Sequence, residues 1–243
     1  MSYSPYLLKG RTALVTGASS GIGEGIARGL AACGAAVVVN YHSQAEEAGK
    51  IVEDIKAAGG EAIAIKADVS KEDDVKAMLS QMFDEFGTID IVVNNAGIQK
   101  DAAFVDMSLE QWNLVININL TGQFLCAREA TKEFLRPGVR PNISSAAGKI
   151  ICISSVHQVI PWSGHVNYAA SKGGVNMMMR TLAQELAPHK IRVNSIASGA
   201  IKTPINKSAW ETPQAQAKLL QLIPAQGIGE VEDIAKAASC VVG

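Results

Sequence analysis

Short runs of aliphatic and β-branched residues alternate along this chain with longer stretches in which apolar positions recur every three or four residues. The runs are TALVT (12–16), AVVVN (36–40), AIAIK (62–66), IDIVVN (89–94), KIICIS (149–154) and IRVNSI (191–196). Each is apolar at consecutive positions instead of every second one, so a sheet built from them must be covered on both faces. The helical stretches that separate them fall at 21–33, 44–58, 71–86, 108–135 and 165–187, with another starting near Val231. Ser108 reads as the N-cap of its helix, with Gln111 three residues on. This order predicts an α/β fold, a doubly wound parallel sheet of six strands joined by right-handed helical crossovers, in one domain over 1–243. Residues 136–148 carry the Pro, Gly, Asn and Ser punctuation of a surface loop and no evident chemistry.

Composition narrows the function. The chain has 243 residues, 48% of them hydrophobic, and a formal charge of −1. With a pI near 6.4 and no basic stripe, nucleic acid and acidic membrane surfaces are excluded as expected partners. No apolar run approaches the roughly 20 residues of a membrane span, and MSYSPYLLKG lacks the basic head and apolar stretch of a signal peptide, so a cytoplasmic enzyme is expected. Cys33, Cys126, Cys152 and Cys240 lie far apart among aliphatic residues, which reads as reduced core thiols, with no metal site.

A glycine-rich turn, Thr16-Gly17-Ala18-Ser19-Ser20-Gly21-Ile22-Gly23, follows the first strand and opens a helix. Free amides and the positive end of a helix dipole make such a turn a cradle for a dinucleotide pyrophosphate, although a tight strand-to-helix connection alone would also use these glycines. The second strand ends Val39-Asn40-Tyr41-His42-Ser43 without the carboxylate that holds the ribose hydroxyls in NAD-selective sites. With Asn40 and His42 there and no Arg or Lys, both NADP and NAD are expected to bind, with a mild preference for NADP. Asp68 and Val69 after the third strand are positioned to hold and pack an adenine, or Asp68 simply caps the strand end. Asn94-Asn95-Ala96-Gly97 closes the fourth strand with small residues beside which a planar ligand fits, and its Asn amides can tie neighbouring strands together.

Hydride exchange between an alcohol and nicotinamide needs a group to take the hydroxyl proton, and a tyrosine serves only if its pKa of about 10 is brought down. Tyr168 and Lys172 lie four apart in a helical stretch and share a face, so the ammonium can favour the phenolate. Ser155, at the end of the fifth strand where ligands gather in an open α/β sheet, can bond the substrate oxygen beside Tyr168. Asn119 is a poor helix residue in a mostly apolar helix. It is expected to hold a water against Lys172, the alternative being an amide bonded to local backbone.

Taken together, Thr16-Gly17-x-x-x-Gly21-x-Gly23, Asn94-Asn95-Ala96-Gly97, Asn119, Ser155 and Tyr168-x-x-x-Lys172 resemble the classical short-chain dehydrogenase/reductase family from about Lys9 onward. The resemblance implies Tyr168 as general base, Lys172 as pKa modifier and ribose ligand, Ser155 as ligand of the substrate oxygen and Asn119 as part of a proton relay. It also implies that Gly199, Ile201 and Thr203 close over the phosphate and carboxamide end of the cofactor, and that the assembly is a homotetramer. Ser154-Ser155-Val156-His157, Ile160-Pro161-Trp162 and Gly199-Ala200-Ile201-x-Thr203-Pro204-Ile205-Asn206 are similar to the glucose 1-dehydrogenase branch, which makes His157 and Asn206 sugar ligands beside Ser155 and Tyr168. The implied reaction is oxidation of D-glucose at C1 to gluconolactone. Reduction of a 3-oxoacyl or other ketone by NADPH, or dinucleotide binding without turnover, uses the same residues. Two positions depart from the pattern: Ser198 stands where the family commonly has Pro, and Gln99 where the glucose enzymes carry an acid. The family also continues into a seventh strand beyond Gly243, so the sequence as given is expected to be a fragment or a truncated form.

Overall fold

The computed structural model describes residues 6–243. Six strands, β1 (Thr12–Val15), β2 (Ala36–Tyr41), β3 (Glu61–Lys66), β4 (Ile91–Asn94), β5 (Gly148–Ser155) and β6 (Ile191–Ser198), form one parallel sheet in the order β3-β2-β1-β4-β5-β6. Side chains alternate between the two faces, as a strand's period of two requires. Ala13, Val15, Val37, Val39, Ile91, Val93, Ile151 and Ile153 enter one apolar core, and Leu14, Val38, Val92, Ile150 and Cys152 enter the other. Both faces are therefore buried, which is why the strands read as unbroken apolar runs.

The first core is covered by α1 (Gly21–Ala32), α2 (Ala45–Ala57) and α8 (Val231–Val242). The second lies under α3 (Glu72–Phe86), α5 (Gly122–Leu135) and α6 (Val166–Leu186). The expected helix over 108–135 is divided: α4 (Leu109–Ile116) passes through a π turn (Asn117–Thr121) into α5. Ser108 and Gln111 form the expected capping box, with Gln111 N donating to Ser108 Oγ at 3.1 Å and Ser108 N to Gln111 Oε1 at 2.8 Å. The π turn was not foreseen, because one extra residue in a turn leaves the apolar period nearly intact. A short helix, α7 (Pro213–Leu220), was also missed, since none of its residues is buried and no apolar face marks it. No described helix is long and apolar enough to cross a membrane.

The order of the sheet reverses direction between β1 and β4, and the segments leaving the carboxyl ends of these two strands part there. A crevice at such a point is where open α/β sheets bind ligands.

Candidate active site

The crevice is a cleft of about 600 Å³ bordered by segments that follow all six strands. At its floor the glycine turn is pinned from two sides. Asn40 Oδ1 accepts from Gly17 N at 3.0 Å, and Asn95 Nδ2 donates to the carbonyls of Thr16 and Gly17 at 2.9 and 3.0 Å. Thr16 Oγ1 in turn accepts from the amides of Asn95 and Ala96. Gly17 and Gly21 have φ of +59° and +57°, in the left-handed region that glycine enters without penalty. A Cβ on Gly21 would stand 3.4 Å from Thr203 Cγ2, so the bare backbone keeps open the gap between the turn and the Thr203-Pro204 wall.

α1 then starts with Ser20 at its N-cap, whose side chain makes no capping bond. The opening amides of a twelve-residue helix thus face the cleft, an arrangement suited to the negative charge of a pyrophosphate. Ser19, Ser20, Gly21, Ile22, Asn95, Ala96 and Gly97 line the same cleft, and Asp68, Val69 and His42 line its far end. Partial burial works against the Asp68 carboxylate, but bonds from Ser70 N and Ser70 Oγ at 2.9 and 2.7 Å, with His42 and Lys71 nearby, hold its pKa below the ordinary value. The dimensions, the bare glycine backbone and the uncapped helix all fit a dinucleotide. Gly23→Ala tests the floor of this cradle. The added methyl would overlap the Gly17 carbonyl oxygen and stand 2.5 Å from Asn95 Nδ2. A melting temperature lowered by several degrees, with NADPH affinity down more than about tenfold in a fluorescence titration, is expected. Wild-type affinity would remove the turn from the cofactor site.

Several expected ligands have other work. The Asn40 side chain lines the cleft but is 1% exposed; it accepts from Gly17 N and donates to the carbonyls of Ile65 and Ala67, and so braces the turn. Ser19 Oγ donates to Gln44 Oε1 at 2.9 Å. Gly23, Gly199 and Ile201 do not line the cleft: Gly23 is pressed against Gly17 and Asn95, Gly199 is exposed, and Ile201 is buried in the first core. Gln44 and Lys71 line it although nothing in the sequence singled them out, and Ile205, from the stretch at 199–206, lines it as well. A sequence holds little sign of them, because each sits one to three positions past a residue it did mark.

At the inner end of the cleft are Tyr168 and Lys172, one helical turn apart on α6. Lys172 is 4% exposed, donates to the Ile153 carbonyl at 2.8 Å and lies 5.5 Å from the Tyr168 ring centroid. Burial brings its pKa down to about 8, opposed by Cys152. Ser155 is buried at the end of β5, where its Oγ accepts from His157 N at 3.2 Å. The expected lowering of the Tyr168 pKa is reversed in this structure. Burial pushes it up and Asp101 adds to the rise, while the side chains of Ser155 and Gln99 pull the other way.

Asn119 falls in the π turn and is fully buried. Its Oδ1 accepts from Ile98 N at 2.8 Å, and its Nδ2 donates to Ile98 O at 3.0 Å and Ser171 Oγ at 3.3 Å. Both amide protons are thereby engaged, and the side chain ties the segment after β4 to α6. Ser171 Oγ donates onward to the Tyr168 carbonyl at 2.7 Å. The two expected sugar ligands are also turned inward. Asn206 Oδ1 accepts from Thr203 N, Thr203 Oγ1 and Trp210 Nε1, and its Nδ2 donates to Ile201 O, so this amide shapes the Thr203 wall. His157 Nδ1 bonds the Ile160 carbonyl at 3.1 Å and its ring stacks on Trp162.

A family model described as short chain dehydrogenase matches residues 11–214, which takes in the glycine turn, Ser155, Tyr168, Lys172 and the Thr203 wall. The chain belongs to the short-chain dehydrogenase family. A 3β-hydroxysteroid dehydrogenase 1 of Eggerthella lenta is 46% identical over 235 residues, 96% of this chain and 86% of that protein. Glucose 1-dehydrogenase 2 of Bacillus subtilis is 42% identical over 236 residues, 97% of this chain and 88% of that protein. Among solved structures, a short chain dehydrogenase of Burkholderia cenocepacia in complex with NADP superposes with a TM-score of 0.87 at 33% identity, over 97% of this chain and 91% of that one. Family membership makes this protein an oxidoreductase of the nicotinamide dinucleotide class, and the differing names of its relatives leave the substrate to the site.

Proposed function

We propose that this protein interconverts an alcohol and its carbonyl compound with NADP or NAD, and that Tyr168 moves the proton. The observation that carries the reading is the meeting, in one cleft, of the glycine turn with a half-buried Tyr168 that has Ser155 beside its hydroxyl and Lys172 over its ring. The bound dinucleotide supplies the hydride acceptor or donor. In oxidation, the hydroxyl proton of the alcohol passes to Tyr168 as the carbon gives up its hydride; reduction reverses both transfers. Ser155 orients the reacting oxygen, and Lys172, held by Ile153, places a cation behind the ring. The walls of Thr203 and Val69 exclude water from the cofactor, and Gly97, against Asn119, leaves room for a planar group.

Oxidation of D-glucose at C1 keeps the support of the Bacillus subtilis relative. It loses that of His157 and Asn206, whose hydrogen-bonding groups meet the protein's own backbone and side chains. The E. lenta relative supports a secondary alcohol on a larger skeleton. With no carboxylate at the end of β2, where Asn40, Tyr41 and His42 stand, and with Lys71 lining the same end of the cleft, NADP is expected to show a KM a few times lower than NAD, both being used. A cytoplasmic homotetramer is the setting proposed for this activity.

Absorbance of reduced nicotinamide, followed with each cofactor against D-glucose, secondary alcohols and ketones, tests the proposal. Turnover of any of them by the protein supports it. Cofactor binding without turnover of an alcohol or a ketone would leave a dinucleotide-binding protein with no such chemistry.

A further inference from the structure

The segment between Ser155 and Tyr168 builds a feature that the reaction itself does not need. Trp162 stacks on His157 with centroids 4.2 Å apart and planes 17° from parallel, and on His165 at 3.4 Å and 6°. Two rings that close to one centroid cannot share a face, so the indole is sandwiched between the imidazoles. The stack is locked at both ends. His157 Nδ1 bonds the Ile160 carbonyl, while His165 has the Ser163 carbonyl 2.9 Å from Nδ1 and Asp101 Oδ2 3.2 Å from Nε2. Both His165 nitrogens thus face acceptors, and the ring is fixed in plane and in rotation. Held in this way, Trp162 presents an edge to Tyr168, with centroids 6.1 Å apart and planes 84° apart.

Apolar side chains are exposed along the same segment and at the rim of the cleft. Val159 and Ile160, on the same segment, are 72% and 52% exposed, Trp162 itself is 36% exposed, and Ile205 at 53% borders the cleft that holds Tyr168. Large aliphatic and aromatic surfaces left exposed in this way are unfavourable in water and favour the burial of carbon. Of the nearby polar side chains that a polyhydroxylated ring would require, His165 is engaged through both nitrogens and Asn206 at both ends of its amide, and His157 is engaged at Nδ1. A sugar brought here would lose water from more hydroxyls than it gains partners for, which is costly for each group left unpaired.

Resting on the oxidoreductase reading above, we infer that the locked Trp162 stack, with Val159, Ile160 and Ile205, is a shelf that receives the carbon skeleton of a bulky apolar alcohol or ketone bearing one reacting oxygen. Tyr168 and Ser155 take that oxygen, and the shelf selects what is attached to it. Specificity then lies in residues 157–165 and 205, outside the proton-transfer group.

The test compares kcat/KM for cyclohexanol, trans-2-decalol and D-glucose with the same cofactor. Each buried methylene of the second ring strengthens binding about fourfold, so decalol is expected to exceed cyclohexanol by at least about tenfold, chiefly through KM, and glucose to trail both. Trp162→Ala should lower the decalol to cyclohexanol ratio to within about threefold of one. Val159→Ser and Ile205→Ser, on exposed side chains that folding does not depend on, should each lower it by about two- to fivefold. Glucose turned over better than the two alcohols, or the ratio unmoved in all three variants, would overturn the shelf while leaving the oxidoreductase reading intact. Failure of all three alcohols and of cyclohexanone and decalone with NADPH would overturn that reading and the shelf with it.

Discussion

Tyr168→Phe is expected to lower kcat by at least about a thousandfold in both directions of the reaction, with the affinity for NADPH reduced less than about tenfold. The substitution deletes only the hydroxyl. The ring keeps its edge contact with Trp162 and its place beneath the Lys172 ammonium, so the packing around it and the fold should survive. Stopped-flow or steady-state absorbance gives kcat, fluorescence quenching gives the affinity, and a melting curve within about 2 °C of wild type confirms that the site is otherwise intact. Retention of a tenth or more of the activity would mean that another group moves the proton.

The wild-type pH profile adds a second reading of the same residue. Burial and Asp101 raise the Tyr168 pKa above its ordinary value, more than Ser155 and Gln99 lower it. The base form, needed for alcohol oxidation, therefore fills only as pH rises into the alkaline range, and the acid form, needed for ketone reduction, persists through neutrality. Oxidation should climb with pH across the range in which reduction holds level and then falls. Gln99→Leu, by removing one of the two groups that favour the phenolate, should move both limbs further up in pH.

The architecture was legible because two signals are strong in any doubly wound sheet: unbroken apolar runs and a glycine turn after the first of them. Val37, Val38 and Val39 could not be a half-exposed strand, and their side chains do go alternately to the two cores. The chemistry was legible in part. Tyr168, Lys172 and Ser155 were placed together by helical spacing and by a strand end, both short-range geometries. What failed was the inference from residue type to employment. Asn40, Asn119 and Asn206 each carry an amide that suits a ligand, and each is engaged by backbone brought near by distant segments: Gly17 and Ala67 for Asn40, Ile98 for Asn119, Ile201 for Asn206. Such partners are fixed by tertiary packing, and nothing in the local pattern announces them. The direction of the Tyr168 shift was lost for the same reason, since spacing gives the neighbour but not how deeply the pair is buried.

Lys172→Met should abolish turnover and, at pH 7, make the protein more stable. The ammonium is 4% exposed, and burial lowers its pKa from 10.5 to about 8. A folded-state pKa below the unfolded one means that the unfolded chain binds the proton more tightly. The folded state is thus penalised fully below pH 8, by about 3 kcal/mol for the stated shift, and the penalty fades as pH rises from 8 to 10.5. Methionine fills similar volume without charge, at the cost of leaving the Ile153 carbonyl without its donor, a loss of about 1 kcal/mol. The net gain of about 2 kcal/mol corresponds to roughly 4–8 °C in Tm for a chain of this size. That gain should shrink when melting is repeated at pH 10, where the folded lysine is already neutral and the unfolded one is beginning to lose its proton. A variant less stable than wild type at pH 7 would show that the bond to Ile153 and the attraction of Cys152 outweigh burial, and that Lys172 supports the fold as well as the site. An inactive but stabilised variant would instead identify Lys172 as a group kept in the core against the fold's preference, as a charge that serves the chemistry of Tyr168 would be.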